Sequence, residues 1–112
     1  MLNYHYLDLQ LKLDKNIQYL YCVSQYPTHL DDEKIKNMPK FSKKGYSGYS
    51  DHTLGISAAI KAYFLGATIL EKHYTFDQAL QKNCELAHLC SFTPETLRTF
   101  SNLVKNFKIM EK

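Results

Sequence analysis

The chain has 112 residues, of which 45% are hydrophobic and 13% aromatic, so it is not a disordered chain and fits one core-forming domain at most. Its formal net charge of +3 is small and dispersed, and we expect neither a nucleic-acid nor a membrane partner. The three cysteines form no C-x-x-C pair, which argues against a disulfide framework and favours a reducing, cytoplasmic location.

The first sixteen residues form a segment whose structure the sequence leaves open. Its leucines alternate with polar residues, as in an amphipathic strand, but they also form pairs four residues apart that suit a helix. These leucines are Leu7, Leu9, Leu11 and Leu13. The segment lacks the basic region and the unbroken apolar run of a secretion signal. No apolar run elsewhere reaches the ~20 residues of a membrane span, so we predict a soluble protein.

A first strand-helix unit follows. Residues 17–23, IQYLYCV, are apolar on both faces and β-prone, which predicts a buried parallel strand. After a polar turn, Asp31 and Asp32 stand where a helix cap belongs, ahead of a short helix that Pro39 ends. The lysines of residues 40–44 then predict a solvated loop before the next strand, and not a nucleic-acid patch.

A second unit combines a short strand over residues 45–49 with a helix in residues 54–67, LGISAAIKAYFLGA. Gly66 is placed to stop that helix. Its apolar residues recur at helical spacing, and we predict four core positions on it. These are Ala58, Ala59, Tyr63 and Phe64.

A third strand is predicted over residues 68–71, followed by a long polar loop. Thr93 and Pro94 then cap an amphipathic last helix. Three successive strand-helix units predict an α/β fold with a parallel sheet, which is either part of a barrel or a small doubly wound sheet.

Polar side chains follow each predicted strand and should gather at the carboxyl edge of the sheet, where α/β folds place their active sites. The first loop contributes Ser24 and Tyr26, the second Ser50, Asp51 and His52, and the third Glu71 and His73. The two histidines lie just beyond neighbouring strands, so they can converge on one metal ion.

Three motifs in these loops resemble those of the sialic acid synthase family, which includes N-acetylneuraminate, legionaminate and pseudaminate synthases. They are CVSQYPT at 22–28, GYSDHTLG at 48–55 and GATILEKHYTFD at 66–77. The resemblance implies that residues 17–112 are the C-terminal portion of a (β/α)₈ TIM barrel, about its last three strand-helix units. A complete barrel takes ~250 residues, so the chain would be a fragment or one subunit of a split enzyme.

The family's reaction, by resemblance, condenses phosphoenolpyruvate with an N-acyl hexosamine and releases phosphate, with Mn²⁺ or Mg²⁺ bound. The resemblance assigns the metal to His52 and His73. It assigns catalytic roles to Glu71 and Tyr26, and substrate binding to Ser24, Tyr26 and Ser50. It also implies that strands carrying further glutamates and lysines are missing, so a complementary N-terminal-half chain or a homo-oligomer is expected.

The chain departs from the family pattern in two places. His29 replaces a proline, and residues 81–92, QKNCELAHLCSF, replace a G-P-D-H element whose aspartate holds sugar hydroxyls. Glu85 is a weak substitute for that aspartate. Cys84, His88 and Cys90 lack a standard zinc spacing, which predicts loop and core packing. A non-catalytic remnant and a small metal-binding or interaction module remain alternatives.

Overall fold

A computed structural model describes residues 14–80 and 88–112. Their core is a parallel sheet of three strands in the order β1-β2-β3. The strands are β1 (Tyr19–Cys22), β2 (Tyr46–Ser50) and β3 (Ile69–Glu71). All three predicted strands are confirmed, with ends that differ by one or two residues. The segment of residues 1–16 lies outside the described residues up to position 13.

Four helices accompany the sheet in the described residues: α1 (Glu33–Lys36), α2 (Phe41–Lys44), α3 (Ser57–Phe64) and α4 (Pro94–Met110). A 3₁₀ turn at Gln78–Leu80 lies in the predicted polar loop. The predicted caps are confirmed, since the Asp32 side chain accepts from the Lys34 amide and Thr93 forms a capping box with Thr96. None of the helices in the described ranges has both the length and the apolar character of a membrane span.

The prediction of a solvated loop at residues 40–44 is wrong, because this stretch forms α2. Phe41 is fully buried in it, and its ring lies 6.2 Å from that of Tyr21 and 6.3 Å from that of Tyr46. Gly45 ends the turn with a φ of 77°, a left-handed conformation that glycine adopts without strain. The prediction failed because it rested on the lysines and overlooked Phe41, a buried aromatic residue among them.

The main core lies between one face of the sheet and α1, α2 and α3. Tyr21, Tyr49 and Leu70 are in register across the three strands and belong to this core. The predicted core positions Ala58 and Ala59 are confirmed. Phe64 is not a core residue, as it is 61% exposed; it lies at the end of α3, with its ring 4.9 Å from that of Phe107 on α4. Tyr63 is half-buried.

The other face of the sheet carries the alternate residues, because successive side chains of a strand point to opposite sides. Two registered rows run across it: Leu20, Gly48 and Ile69, then Cys22, Ser50 and Glu71. Gly48 is buried, and the other five are half-buried or exposed. A Cβ at Gly48 would overlap the Ile69 carbonyl, so this row requires glycine to let the two strands approach.

Candidate functional site

The candidate site lies at the carboxyl edge of this second sheet face. His52 follows β2 and His73 follows β3, and their ring centroids are 6.3 Å apart. Tyr26, from the loop after β1, contacts both rings. It stacks on His52 at 4.1 Å and meets His73 edge-on at 5.7 Å. The structure therefore brings residues from all three loops together, as the sequence predicts.

The orientation of His52 is set by a backbone carbonyl. Its Nδ1 lies 2.7 Å from the carbonyl oxygen of Val23, which can only accept, so Nδ1 donates this bond, and in the neutral imidazole Nε2 is the nitrogen with the lone pair. The Thr28 amide donates to the His52 carbonyl at 2.9 Å, which joins the first and second loops. The ring is 6% exposed, and this combination of burial and bonding leaves it one orientation.

Ser50 connects Glu71 to His52. Its hydroxyl donates to Glu71 Oε2 at 2.5 Å, the short distance typical of a bond to a charged carboxylate. The same oxygen lies 3.5 Å from Nε2 of His52. Glu71 and His73 are exposed, so the carboxylate and the second imidazole are accessible to a ligand.

Tyr26 is 38% exposed and presents its phenol beside the two histidines. Partial burial, followed by the nearby Cys22 and Glu71, raises the pKa of Tyr26 above its ordinary value. The phenol is therefore protonated at neutral pH and can donate a hydrogen bond. Its raised pKa also argues against a tyrosinate at this position.

Ser24 is the least connected of the predicted site residues. It lies in a tight turn closed by a 2.8 Å bond from the Gln25 amide to the Val23 carbonyl, and it is exposed. Among the described residues, no hydrogen bond joins its hydroxyl to the other predicted site residues. Ser24 therefore lies at the same edge of the sheet, without a hydrogen bond from its hydroxyl to the other predicted site residues among those the structure describes.

The two histidines have the chemistry of metal ligands, because imidazole nitrogens bind divalent ions. With metal–nitrogen bonds of about 2.1 Å, two imidazoles on one ion have centroids at most ~6.5 Å apart, and only when the nitrogen–metal–nitrogen angle is close to ~180°. The observed separation of 6.3 Å lies near that upper limit, so the rings would move closer together to share an ion at a smaller angle. The described residues contain no group of three or more His, Cys, Asp or Glu side chains arranged to hold a metal.

Asp51, predicted among the polar side chains at the sheet edge, is instead buried behind the histidines in an ion pair with Lys72 that was not predicted. Lys72 Nζ lies 2.9 Å from Asp51 Oδ2, and both side chains are inaccessible. The other carboxylate oxygen, Oδ1, accepts from the Thr53 amide and hydroxyl at 2.9 and 2.7 Å and from Tyr49 at 3.2 Å. Each charged residue immediately precedes a histidine, so strand alternation places the pair on the core side. That alternation was the signal available in the sequence.

The region that departs from the family pattern is described only in part. Cys84 and Glu85 lie outside the described residues. His88 Nδ1 lies 2.9 Å from the Thr75 hydroxyl, and Cys90 is 1% exposed. The His88 contact and the burial of Cys90 agree with the predicted role in loop and core packing.

Comparison with known proteins shows the family. The chain matches the NeuB family over residues 5–112. It is 37% identical to an N,N'-diacetyllegionaminic acid synthase of Legionella pneumophila, covering 82% of this chain and 25% of that protein. It is 34% identical to an N-acetylneuraminate-9-phosphate synthase of Drosophila melanogaster, covering 80% and 24%.

An uncharacterised protein of Methanocaldococcus jannaschii is 40% identical over 88% of this chain and 28% of its own length. The crystal structure of N-acetylneuraminic acid (sialic acid) synthetase from Leptospira borgpetersenii, in complex with citrate, is similar with a TM-score of 0.65 and 34% identity, over 83% of this chain and 33% of that one. The chain spans about a quarter of the length of the curated relatives it matches. By sequence and by structure, the chain belongs to the NeuB family.

Proposed function

We propose that this chain contributes the metal-binding part of a nonulosonic acid synthase active site. The reaction would condense phosphoenolpyruvate with an N-acyl hexosamine, forming a carbon–carbon bond and releasing phosphate. One observation carries the proposal: His52, His73, Tyr26, Ser50 and Glu71 converge on one edge of the sheet face opposite the core.

The sheet itself supports a place in a TIM barrel. Its three strands are parallel and consecutive, and its helices cover one face. The other face carries Leu20, Gly48 and Ile69, with a second row of more polar residues towards the carboxyl edge. In a (β/α)₈ barrel the helices lie outside and the second face lines the interior, with the active site at the carboxyl ends of the strands. We propose that β1, β2 and β3 are three adjacent strands of such a barrel.

His52 and His73 would hold the divalent cation, Mn²⁺ or Mg²⁺. His52 would bind through Nε2 of its neutral imidazole, because Nδ1 is engaged with the Val23 carbonyl, an arrangement typical of metal-binding histidines. A bound cation supplies Lewis acidity for the aldehyde of the acceptor sugar.

The remaining side chains would handle charge and orientation. Glu71 is an exposed carboxylate held by Ser50, suited to stabilising positive charge that develops on the phosphoenolpyruvate carbon or to accepting a proton from water. Tyr26 is a protonated phenol that can donate to a sugar oxygen. Ser50 and Ser24 would contact phosphoenolpyruvate, Ser50 after releasing its bond to Glu71.

Further residues would come from another polypeptide region or another chain. The described residues supply three parallel strands, whereas a complete (β/α)₈ barrel has eight. A complementary N-terminal-half chain, or a second copy of this chain, would supply further strands and close more of the barrel.

The test measures phosphate release from phosphoenolpyruvate with N-acetylmannosamine and Mn²⁺. The purified chain is assayed alone and mixed with a chain carrying the missing N-terminal strands. We expect turnover in the mixture, its loss in His52→Ala and His73→Ala, and its retention in His29→Ala, an exposed histidine of the loop that carries Tyr26. Turnover that survives both His52→Ala and His73→Ala would refute the metal assignment.

A small metal-binding module is the second candidate, because the rings of His52 and His73 already lie next to each other within this chain. Mn²⁺ titration of the isolated chain separates the two functions. Binding that requires His52 and His73, without phosphate release in any mixture or with any N-acyl hexosamine, would favour the module. Absence of both would favour a non-catalytic remnant.

A further inference from the structure

We infer that the buried pair Asp51–Lys72 is a positioning device that sets the distance between the two metal-binding imidazoles. The inference rests on the proposed metal site, and it concerns residues that would not touch the ion. Neither side chain is accessible to solvent, so neither can contact substrate. Their influence must pass through the histidines that follow them in the chain.

Backbone pairing between the second and third strands stops just before the histidines. The Asp51 amide donates to the Glu71 carbonyl at 2.9 Å, and this is the last bond of that ladder in the described residues. His52 and His73 therefore stand one and two positions beyond the point where the sheet fixes their strands. Some other contact must hold the two loops at a constant separation.

Lys72 provides that contact with two bonds across the gap. Its Nζ donates to Asp51 Oδ2 at 2.9 Å and to the Thr53 carbonyl at 2.7 Å. Asp51 and Thr53 flank His52 in sequence, so the Lys72 ammonium binds the residues on both sides of His52. Lys72 itself precedes His73, and its two bonds therefore join the two histidine-bearing loops. The Phe92 ring, 5.4 Å from Nζ, covers the ammonium with a cation–π contact.

The carboxylate is fixed as firmly as the ammonium. Three donors, the Thr53 amide and hydroxyl and the Tyr49 hydroxyl, hold Oδ1, and the lysine holds Oδ2. A fully bonded carboxylate without solvent access has no alternative rotamer that keeps its partners. The clamp is therefore rigid, and rigid contacts to the residues next to a metal ligand hold that ligand in its binding geometry.

The effect of the pair on the histidines can be measured apart from its effect on stability, because a buried ion pair can be replaced by neutral side chains without loss of the fold. Asp51→Asn and Lys72→Met each leave an uncompensated buried group. The double variant Asp51→Asn/Lys72→Met removes both charges and also the clamp. Ala62→Gly, in the buried interior of α3, is the matched control that lowers stability away from the site.

The experiment measures Mn²⁺ affinity and melting temperature for each variant, with nuclear Overhauser contacts between the rings of His52, His73 and Tyr26 as a metal-free readout. We expect both single variants to bind Mn²⁺ about 10- to 100-fold more weakly. The double variant should regain melting temperature but neither the affinity nor the ring contacts. Ala62→Gly should melt earlier and bind Mn²⁺ as the wild type does.

Recovery of affinity together with melting temperature in the double variant would overturn the inference, as would wild-type affinity in the two single variants. Either result leaves the metal site intact if His52→Ala still abolishes binding. If the folded wild-type chain binds no Mn²⁺, the proposed metal site and the inference fall together. If the single variants do not fold, the double variant and Ala62→Gly still decide the question.

Discussion

Tyr21 offers a quantitative test of how β1 is attached to the loop that follows it. Its side chain lies in the core, 6% exposed, and its hydroxyl donates to the Lys34 carbonyl in α1 at 2.6 Å. Burial, followed by the charges of Tyr46 and Asp32, raises the pKa of Tyr21 from 10.0 to about 12. The test compares wild type with Tyr21→Phe across the alkaline range.

Two effects of this substitution have opposite signs. At neutral pH Tyr21→Phe loses one hydrogen bond, which should cost about 1 kcal/mol of unfolding free energy. In the wild type the folded pKa is raised above the unfolded one, so this stabilisation is complete below pH 10 and falls as pH rises towards 12. One pH unit corresponds to about 1.4 kcal/mol in this window. The wild type should therefore have lost on the order of 1 kcal/mol from this group at pH 11, a loss that Tyr21→Phe cannot show.

The two stability curves should cross between about pH 10 and 12, where the alkaline loss equals the hydrogen-bond contribution of about 1 kcal/mol. Urea unfolding followed by circular dichroism, at intervals from pH 7 to 11.5 with reductant present, measures both curves. Tyr49, whose pKa is also raised, foremost by burial and then by Asp51, is present in both proteins, so its titration contributes to both curves. A difference in free energy that stays constant over this range would refute the reasoning.

Three further predictions concern packing. Gly48→Ala should lower unfolding free energy by about 1–3 kcal/mol, because the new Cβ overlaps the Ile69 carbonyl; an unchanged urea midpoint would contradict the close approach. Phe41→Ala should cost about 3–5 kcal/mol and Phe64→Ala much less, since Phe41 is fully buried and Phe64 61% exposed; equal losses would contradict this order. Burial raises the pKa of the Cys90 thiol, so iodoacetamide should modify half-buried Cys22 before Cys90 in the native protein, as peptide mass spectrometry would show, and both after urea unfolding.

Much of the candidate site could be predicted because its signals are local. Parallel strands end at a common edge, so polar residues just beyond each strand were expected to meet there. The structure bears this out for Tyr26, His52 and His73, whose rings are in contact. The metal, the substrates and the residue roles remain proposals, because proximity alone does not identify a ligand.

Other features could not be predicted because they depend on which distant groups become neighbours. Phe41 was hidden among lysines, and Phe64 had the correct helical spacing but lies at the end of α3. The Asp51–Lys72 pair joins residues from two loops, and only the fold brings their charges within 2.9 Å. Strand alternation alone indicates the core side for both residues, but it does not show that the two charges pair or that they are buried.

The order of strands and helices, their parallel arrangement and the set of polar residues at the sheet edge were determined by the sequence by itself. Periodicity, caps and strand-end motifs are properties of neighbouring residues, and they are readable without coordinates. Tertiary structure alone decided which nitrogen of His52 bonds to the Val23 carbonyl, how far the His52 ring lies from the His73 ring, and which charges are buried behind the two rings. Those properties follow from contacts between residues 20 to 30 positions apart, such as His52 with Val23 and Lys72 with Asp51, and such contacts exist only once the chain has folded.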